Sequence, residues 1–407
     1  MGYEAVKEER EGQVVGVARV RALGGVGLMV LAFVLAHFTH HLCTGILVPL
    51  LPFVRDEFGL SYFMSGLLVS GFGLIYGVAQ FPMGRLGDRV SKKWIICLGL
   101  VGVSLMSIAV GLTTTYYQAM AFLFLMGLFG GGQHPSASSL ISLHFGKESR
   151  GRVLGFNLVG GPASFFLTPI FAGLIARALG WREAFIILAI PALLASLFFW
   201  KVVGGGPATQ VVEARSGEKE PAMGQVARAI GPIVTVAVLC QLVSFGIATF
   251  LPLYLVDKYH MEPAYAAMLA GLVFGAGLVA SPLGGVLSDR FGRKPVILTC
   301  VILTGPVLYL LTIAPFGVAL IAAFAALGLV MSARLPAVES LIVDVVPVGQ
   351  RASILGVYFF LGMEMNGVGP PIIGYLMDSL GMDGAFTTLA LFGLALSVGT
   401  FILRKRL

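Results

Sequence analysis

Long runs without any charged residue restrict what this chain can fold into. No Asp, Glu, Lys or Arg occurs from Ala22 to Val54, from Phe58 to Gly84, or from Trp94 to Gly146. A helix crosses the hydrocarbon core of a bilayer with about 20 apolar residues, and the backbone polar groups of a helix are satisfied there without water. Only 12% of the 407 residues are charged, whereas soluble proteins have about 25%. The runs therefore predict a helical membrane protein.

Dividing the apolar runs at charged and turn-forming residues predicts twelve membrane-spanning helices, which we number span 1 to span 12. The first six lie near residues 22–51, 60–83, 94–112, 118–142, 153–176 and 184–203. The second six lie near residues 229–256, 263–287, 295–314, 316–343, 352–377 and 384–403. The predicted fold class is therefore an all-α membrane protein.

The distribution of positive charge predicts how the chain is oriented. With an even number of spans, both termini lie on the same side of the membrane. The loops on that side hold 22 of the 27 Lys and Arg residues, and the opposite loops hold only Arg55, Arg177, Arg182 and Lys258. By the positive-inside rule, both termini should be cytoplasmic in a multi-pass protein of the cytoplasmic (inner) membrane. The net charge of +7 then reflects topology and contact with anionic membrane lipids, because no nucleic-acid-binding motif accompanies it.

An internal repeat divides the chain into two halves. A constant offset of 201 residues relates Gly84 to Gly285, Asp88 to Asp289, Arg89 to Arg290, Pro135 to Pro336, Arg150 to Arg351 and Pro169 to Pro370. One unchanged offset across spans 2 to 5 and 8 to 11 indicates duplicated six-helix units. The predicted organisation is a cytoplasmic tail at 1–21, a first bundle at 22–203, a cytoplasmic linker at 204–228 and a second bundle at 229–407.

The loops that follow spans 2 and 8 carry the clearest motif. Gly84 to Lys93 is G-R-L-G-D-R-V-S-K-K, and Gly285 to Lys294 is G-V-L-S-D-R-F-G-R-K. Both segments resemble the signature loop of the major facilitator superfamily, although the first has Ser91 where a Gly is usual. The resemblance implies two pseudo-symmetric six-helix bundles and transport by alternating access. It also implies a central cavity lined by spans 1, 4, 7 and 10.

The same loops predict a conformational latch on the cytoplasmic side. Their aspartates can accept hydrogen bonds from a helix N-terminus or pair with an Arg at the start of span 5 or span 11. The predicted latch residues are Gly84, Asp88, Arg89, Gly285, Asp289, Arg290, Arg150 and Arg351, with Arg152 as a further partner. The latch would hold the outward-facing state. The alternative is that these residues only fix the topology.

Polar side chains near the middle of several spans predict the transport site. An ionisable group at the bilayer centre costs about 2.5–3.5 kcal/mol on translocon scales, so it usually marks a pathway or a partner. Three histidines in span 1 share one helical face, because they are three and four positions apart. The predicted substrate-binding residues are His37, His41, Gln133, His134, Gln241, Arg334 and Asn366, and the predicted proton-coupling residues are Glu364, Glu339 and His40.

Simpler roles remain open for several of these residues. A buried histidine often only bonds a neighbouring helix, and Gln133 and Gln241 can serve helix packing. Arg334 stays charged and needs an anion, which could be Glu364, Glu339 or the substrate. Three histidines can bind a metal, but no carboxylate shares their helix. We therefore expect neither a metal site nor a cofactor.

The absence of a nucleotide-binding loop from the sequence indicates an ion gradient as the energy source. No nucleophile or acid pair suggests an enzyme, and a receptor or scaffold would not need so many polar groups facing one cavity. His134-Pro135, the polar span 1 and the run from Leu51 to Ser61 resemble bacterial drug-efflux members of the fosmidomycin-resistance type. Many drug–proton antiporters carry an Arg in span 4, and this chain does not.

Together these features predict a secondary active transporter. The resemblance implies proton-coupled efflux of a small organic solute or drug by a protein that functions as a monomer. The alternative is a proton-linked importer or exchanger of a small organic anion. In both cases we expect a small-molecule substrate and protons as partners.

Overall fold

The structure, a computed structural model, describes residues 25–204, 223–346, 358 and 365–404. The first part contains α1 (Gly25–Thr44), α2 (Leu47–Phe58), α3 (Tyr62–Arg89), α4 (Lys92–Gly111), α5 (Tyr116–Gly130), α6 (Gln133–His144), α7 (Lys147–Ala178) and α8 (Trp181–Val202). The second part contains α9 (Met223–Tyr259), α10 (Pro263–Ala270), α11 (Leu272–Phe291), α12 (Arg293–Ile313), α13 (Val318–Val345) and α14 (Met365–Leu403). No strand occurs among these residues, which confirms the predicted all-α class.

Several predicted spans consist of two helices. Span 1 is formed by α1 and α2, span 4 by α5 and α6, and span 8 by α10 and α11. Conversely, α14 includes the end of span 11 and all of span 12, and its direction changes at Gly381, where φ is 73°. The helix α9 begins at Met223, inside the predicted linker, whereas the predicted tail and most of that linker lie outside the described residues.

Ten segments of the described chain are long and apolar enough to cross a membrane. The halves of span 4, α5 and α6, have 15 and 12 residues and are individually too short to be counted. The last segment, Gly367–Leu403, is counted once although it changes direction. The protein is therefore a multi-pass membrane protein. The total of twelve crossings stays a prediction, because the first part of span 11 lies outside the described residues.

The outer surface is apolar where a soluble protein would be polar. Large side chains on several helices are mainly exposed, among them Leu194 at 61%, Val286 at 63% and Leu112 at 67%. Polar side chains instead lie inside and bond to backbone carbonyls, as when Ser107 donates to the Phe185 carbonyl oxygen at 2.8 Å. This inverted distribution places the apolar exterior against lipid.

Glycines at equivalent positions allow the two halves to approach each other. A Cβ atom added to Gly374 of α14 would lie 2.3 Å from the Tyr62 carbonyl oxygen of α3. A Cβ atom added to Gly173 of α7 would lie 2.7 Å from the Ala264 carbonyl oxygen of α10. Both the glycines and their partners follow the 201-residue repeat to within one residue. The pairs α3–α14 and α7–α10 are therefore related contacts between the halves.

We expect Gly374→Ala to lower the thermal stability of the purified protein in detergent. The added methyl group overlaps the Tyr62 carbonyl, and forcing extra volume into a packed contact costs about 1–3 kcal/mol. Gly399→Ala is the matched control, because Gly399 also lies in α14, beyond the change of direction at Gly381, and a Cβ atom added there would meet no described residue within 4 Å. Alanine there should leave stability unchanged or raise it. Equal melting temperatures for the two variants would contradict the close contact.

Candidate functional site

A cavity of about 180 Å³ lies between the two halves. Its wall includes residues of spans 1, 4 and 7, in agreement with the family resemblance. Spans 2, 5 and 8 also contribute, through α3, α7, α10 and α11, whereas none of the lining residues belongs to α13, which forms span 10. The wall is mainly apolar and contains the aromatic residues Phe72, Tyr76, Phe165, Phe245 and Phe274.

Four histidines come together beside this cavity. His37, His40 and His41 of α1 face His134 at the start of α6. The ring centroid of His134 lies 5.0 Å from that of His37 and 5.4 Å from that of His41, and the latter two rings are 4.9 Å apart. His41 and His134 line the cavity. The structure thus groups four of the predicted site residues in the first half, which we call the histidine cluster.

The break in span 4 places His134 opposite α1. The helix α5 ends at Gly130, and α6 begins at Gln133. A Cβ atom at Gly131 would lie 2.6 Å from the Ala79 Cβ atom, and one at Gly132 would lie 2.4 Å from a methyl group of Ile95. Only glycines fit this close approach to α3 and α4 without displacement of those helices. The next turn then carries Gln133 and His134 to the face of α1.

Several nitrogens of the histidine cluster have no hydrogen-bond partner among the described residues. His37 donates through Nδ1 to the Asn157 carbonyl oxygen at 2.6 Å, but its Nε2 atom is unpaired, as are both ring nitrogens of His40. His37 and His40 are 3% and 0% exposed. A buried polar atom without a partner is costly. The cluster therefore has unused capacity to bind a ligand or a proton.

The second half contains a separate polar contact. The buried Arg334 of α13 donates through Nη2 to Gln241 Oε1 of α9 at 2.5 Å, while its Nη1 atom has no partner among the described residues. No ion pair joins Arg334 to the half-buried Glu339 within the described chain. Neither Arg334 nor Gln241 lines the cavity. The structure thus joins these two predicted residues to each other and not to the histidine cluster.

Several predicted residues cannot be placed further. Glu364 and Arg351 lie outside the described residues, and so do the side chains of Asn366, Asp88, Arg89 and Arg150. In the part that is described, Gln133 is buried and its Oε1 atom has no partner. The predicted roles of all these residues in substrate binding, proton coupling or the latch therefore stay predictions.

The described signature loop of the second half forms a local charge network. Asp289 pairs with Arg293, whose Nε atom also lies 3.1 Å from Asp344 Oδ2. This network links the ends of α11, α12 and α13. Among the described residues, an added Cβ atom at Gly84 would be 3.7 Å from its nearest neighbour, and one at Gly285 would meet nothing within 4 Å. Arg290 is exposed.

The contacts between the halves concentrate at the opposite end of the bundle, which we call the Asp257 end. Asp257 of α9 accepts hydrogen bonds from Arg55 of α2, including one of 2.8 Å from Nη2, and from the Tyr62 hydroxyl at 2.6 Å. Asp378 of α14 accepts from the backbone N–H groups of Tyr62 and Phe63 at 3.0 and 2.9 Å. Among the described residues, the ion pairs between the halves, Arg55–Asp257 and Arg177–Glu262, both lie at this end.

Sequence reasoning missed much of this arrangement. The aromatic residues of the cavity wall lie in uniformly apolar helices, where nothing distinguishes them from lipid-facing residues. Asp257 and Asp378 had a weak signal, since they are isolated acidic residues near the predicted ends of spans 7 and 11. Only the packing of the two halves shows that both contact span 2.

We expect Asp257→Asn to separate the halves at the Asp257 end, because the neutral amide cannot keep the charge-assisted bonds to Arg55. Spin labels at Tyr117→Cys and Phe316→Cys, on exposed connections of that end, should move apart in double electron–electron resonance. The four native cysteines are buried and should not be labelled.

The matched control is Glu262→Gln, which removes the more exposed pair with Arg177 at 3.1 Å. Exposed ion pairs contribute about 0–1 kcal/mol, so the distance distribution should hardly change. An unchanged distribution for Asp257→Asn would show that the Asp257 contacts do not hold this end closed.

Comparisons with known proteins agree with this architecture. The sequence model of the Major Facilitator Superfamily matches residues 33–277 and 233–406. The chain is similar to the hexuronate transporter of Bacillus subtilis (strain 168), with 24% identity over 87% of this chain and 88% of that protein. It is also similar to the multidrug resistance protein MdtG of Citrobacter koseri, with 27% identity over 73% of this chain and 75% of that protein.

The fold is also similar to solved transporter structures. One is a bacterial homologue of the human lysosomal transporter Spinster in an inward-facing and occupied conformation. It superposes with a TM-score of 0.78, covers 92% of this chain and 96% of that chain, and has 17% sequence identity. At this identity the similarity concerns the fold alone.

Proposed function

Because the chain belongs to the Major Facilitator Superfamily and is a secondary transporter of a small molecule, we propose that it exports a largely apolar organic compound in exchange for protons. Export would take place across the cytoplasmic membrane, with both termini cytoplasmic and a monomer as the functional unit. The observation that carries the proposal is the cavity wall. Among the described residues it contains five aromatic side chains, and its ionisable side chains other than the Tyr76 phenol are those of His41 and His134.

The wall favours an apolar compound. Ligand sites of this kind bind through apolar and aromatic contacts, and a few polar groups fix the orientation. Among the described residues, no Asp, Glu, Lys or Arg lines the cavity, so an ionic group of a substrate would lose its hydration against this part of the wall without a charged partner. Thr44, Thr249 and the two histidines can bond a polar group of the compound. The similarity to a multidrug resistance protein supports the same class of substrate.

The histidine cluster supplies a physical route to proton exchange. Histidine is the side chain that exchanges protons in the physiological pH range. Protonation of His41 or His134 adds positive charge to the wall and weakens the binding of an apolar compound. Proton and compound then exclude each other, which is the coupling that an exchanger requires. In this proposal His40, Glu339 and Glu364 pass the proton on, while His37, Gln133, Gln241, Arg334 and Asn366 contribute polar contacts.

Alternating access would use the two ends of the bundle in turn. The Asp257 contacts close one end, as the structure has it. The signature-loop residues would close the other end after the halves have rocked. The two halves contact each other at related positions, Gly173 and Gly374. Such paired contacts are compatible with one half rocking as a rigid body against the other.

We expect proteoliposomes that contain the protein to expel the neutral dye Nile red when a pH gradient is imposed, and to stop when a protonophore removes the gradient. His134→Phe should retain apolar contacts but lose the dependence on the gradient. His144→Phe is the matched control, because His144 is in the same helix, lies outside the cavity wall, and donates a hydrogen bond to the Leu140 carbonyl oxygen. If the unaltered protein expels the dye at the same rate with and without the pH gradient, proton exchange is refuted.

A second candidate is proton-linked import or exchange of a small organic anion. It is favoured by the unpaired Nη1 atom of the buried Arg334 and by the similarity to a hexuronate transporter. A carboxylate substrate would satisfy the guanidinium by a charge-assisted hydrogen bond. This function requires a path to Arg334 in a conformation other than the one described.

Accumulation of radiolabelled glucuronate in the same proteoliposomes distinguishes the two candidates. If the anion is the substrate, it accumulates under the pH gradient, and Arg334→Gln reduces the uptake by at least about tenfold because the charged partner is lost. Gln133→Ala, at the equivalent position of the first half, should reduce it less. No accumulation by the unaltered protein would exclude glucuronate as the substrate and favour export of an apolar compound.

A further inference from the structure

Three histidines of the cluster are arranged like the ligands of a metal ion. Each of three residues, His37, His41 and His134, offers one ring nitrogen as a ligand, and these three nitrogens lie within 4.8 Å of one another. The residues come from two helices, and His37 and His41 are one helical turn apart. Proximity of three imidazoles is unfavourable for protonated rings, since like charges repel in a low-dielectric site. Unprotonated rings avoid that conflict and keep a lone pair for a cation, which would compete with the proton that the export proposal assigns to His41 or His134.

The hydrogen bond of His37 supports this arrangement. Histidines that bind a metal usually donate their other ring N–H to a carbonyl or carboxylate, which fixes the tautomer and the ring orientation. His37 donates through Nδ1 to the Asn157 carbonyl oxygen at 2.6 Å, and its Nε2 atom keeps a lone pair and has no partner among the described residues. The side chain is 3% exposed, so water does not readily replace that partner.

Packing restricts the rings to this position. A Cβ atom at Gly161 of α7 would lie 3.3 Å from His37 Nε2 and 3.6 Å from His41 Cδ2. The Phe165 ring of the same helix lies 4.8 Å from the His41 ring. The rings are thus held on one side by α7, while His41 and His134 reach the cavity on the other side.

We propose that His37, His41 and His134 bind one divalent transition-metal ion of the Zn²⁺ class, with a further coordination position open to the cavity. Imidazole nitrogen suits Zn²⁺, Cu²⁺ and Ni²⁺, and three protein ligands with one open position form a known type of zinc site. Such a site needs no carboxylate, so the lack of one in the helix of His37 and His41 does not exclude a metal.

Binding requires only small movements. Zn–N bonds of about 2.0–2.1 Å place tetrahedral ligand atoms roughly 3.3–3.4 Å apart, which is less than the 4.8 Å limit within which the three nitrogens lie. Rotations of the three histidines about their side-chain bonds would have to close this difference. His134 lies in the first turn of α6 and borders the cavity. His40 adjoins the set, with its ring 5.0 Å from His41 and 6.3 Å from His134, and is a neighbour rather than a ligand.

The experiment measures binding of Zn²⁺ to the purified full chain in detergent by competition with a chromogenic chelator. We expect one Zn²⁺ per chain and a rise in melting temperature on binding. His37→Ala, His41→Ala and His134→Ala should each weaken the affinity by at least about tenfold. His144→Ala is the matched control and should leave it unchanged. Equal affinity of the His134→Ala and His144→Ala variants would overturn the proposal.

X-ray absorption of the Zn²⁺-loaded, unaltered protein tests the proposal without any substitution. Scattering from three imidazole ligands is the expected result, and fewer than three would overturn the site. Both measurements are made at equilibrium without a gradient. A failure of proton-coupled export in proteoliposomes therefore leaves the metal site standing, and a failure to bind Zn²⁺ leaves the export proposal standing.

Discussion

The hydrocarbon core of a bilayer contains no water to bond a polar group, and the rest of this structure depends on that constraint. Backbone groups are satisfied within helices, which is why charge-free runs become helices and not loops. Side-chain hydroxyls such as that of Ser107 bond a neighbouring backbone carbonyl. The polar atoms that remain without partners in the described chain then stand out. The most concentrated group of them belongs to the histidine cluster and its surroundings.

The histidine cluster depends on the break in span 4 between α5 and α6. The glycines between α5 and α6 end one helix and start another where the chain presses against α3 and α4. Irregular backbone at membrane depth is tolerated when it is enclosed by protein or borders a cavity. Here the break packs against α3 and α4 and borders the cavity at His134. The break turns His134 towards α1 and brings residues 93 or more positions apart into one cluster. The same feature would be destabilising on a lipid-facing helix.

The two halves share a framework but differ in their chemistry. Equivalent glycines at Gly173 and Gly374 make equivalent contacts, whereas Gln133 is replaced by Arg334 one repeat later. In the first half the polar groups are neutral or titratable, and two of them, His41 and His134, reach the cavity. In the second half a permanent charge is buried against Gln241 and away from it. This asymmetry separates the two candidate substrates, because an apolar compound uses the first site and an anion needs the second.

The sequence by itself determined the membrane-embedded helical class, the family, the repeat, and the shared face of His37, His40 and His41. These are consequences of hydropathy, of one constant offset and of helical spacing, which act locally along the chain. Only the tertiary structure decided that His134 joins this face, that spans 2, 5 and 8 line the cavity, and that Asp257 and Asp378 hold the halves together at one end. Such contacts depend on how helices distant in sequence pack against one another. An apolar helix carries little information about which of its faces meets protein and which meets lipid.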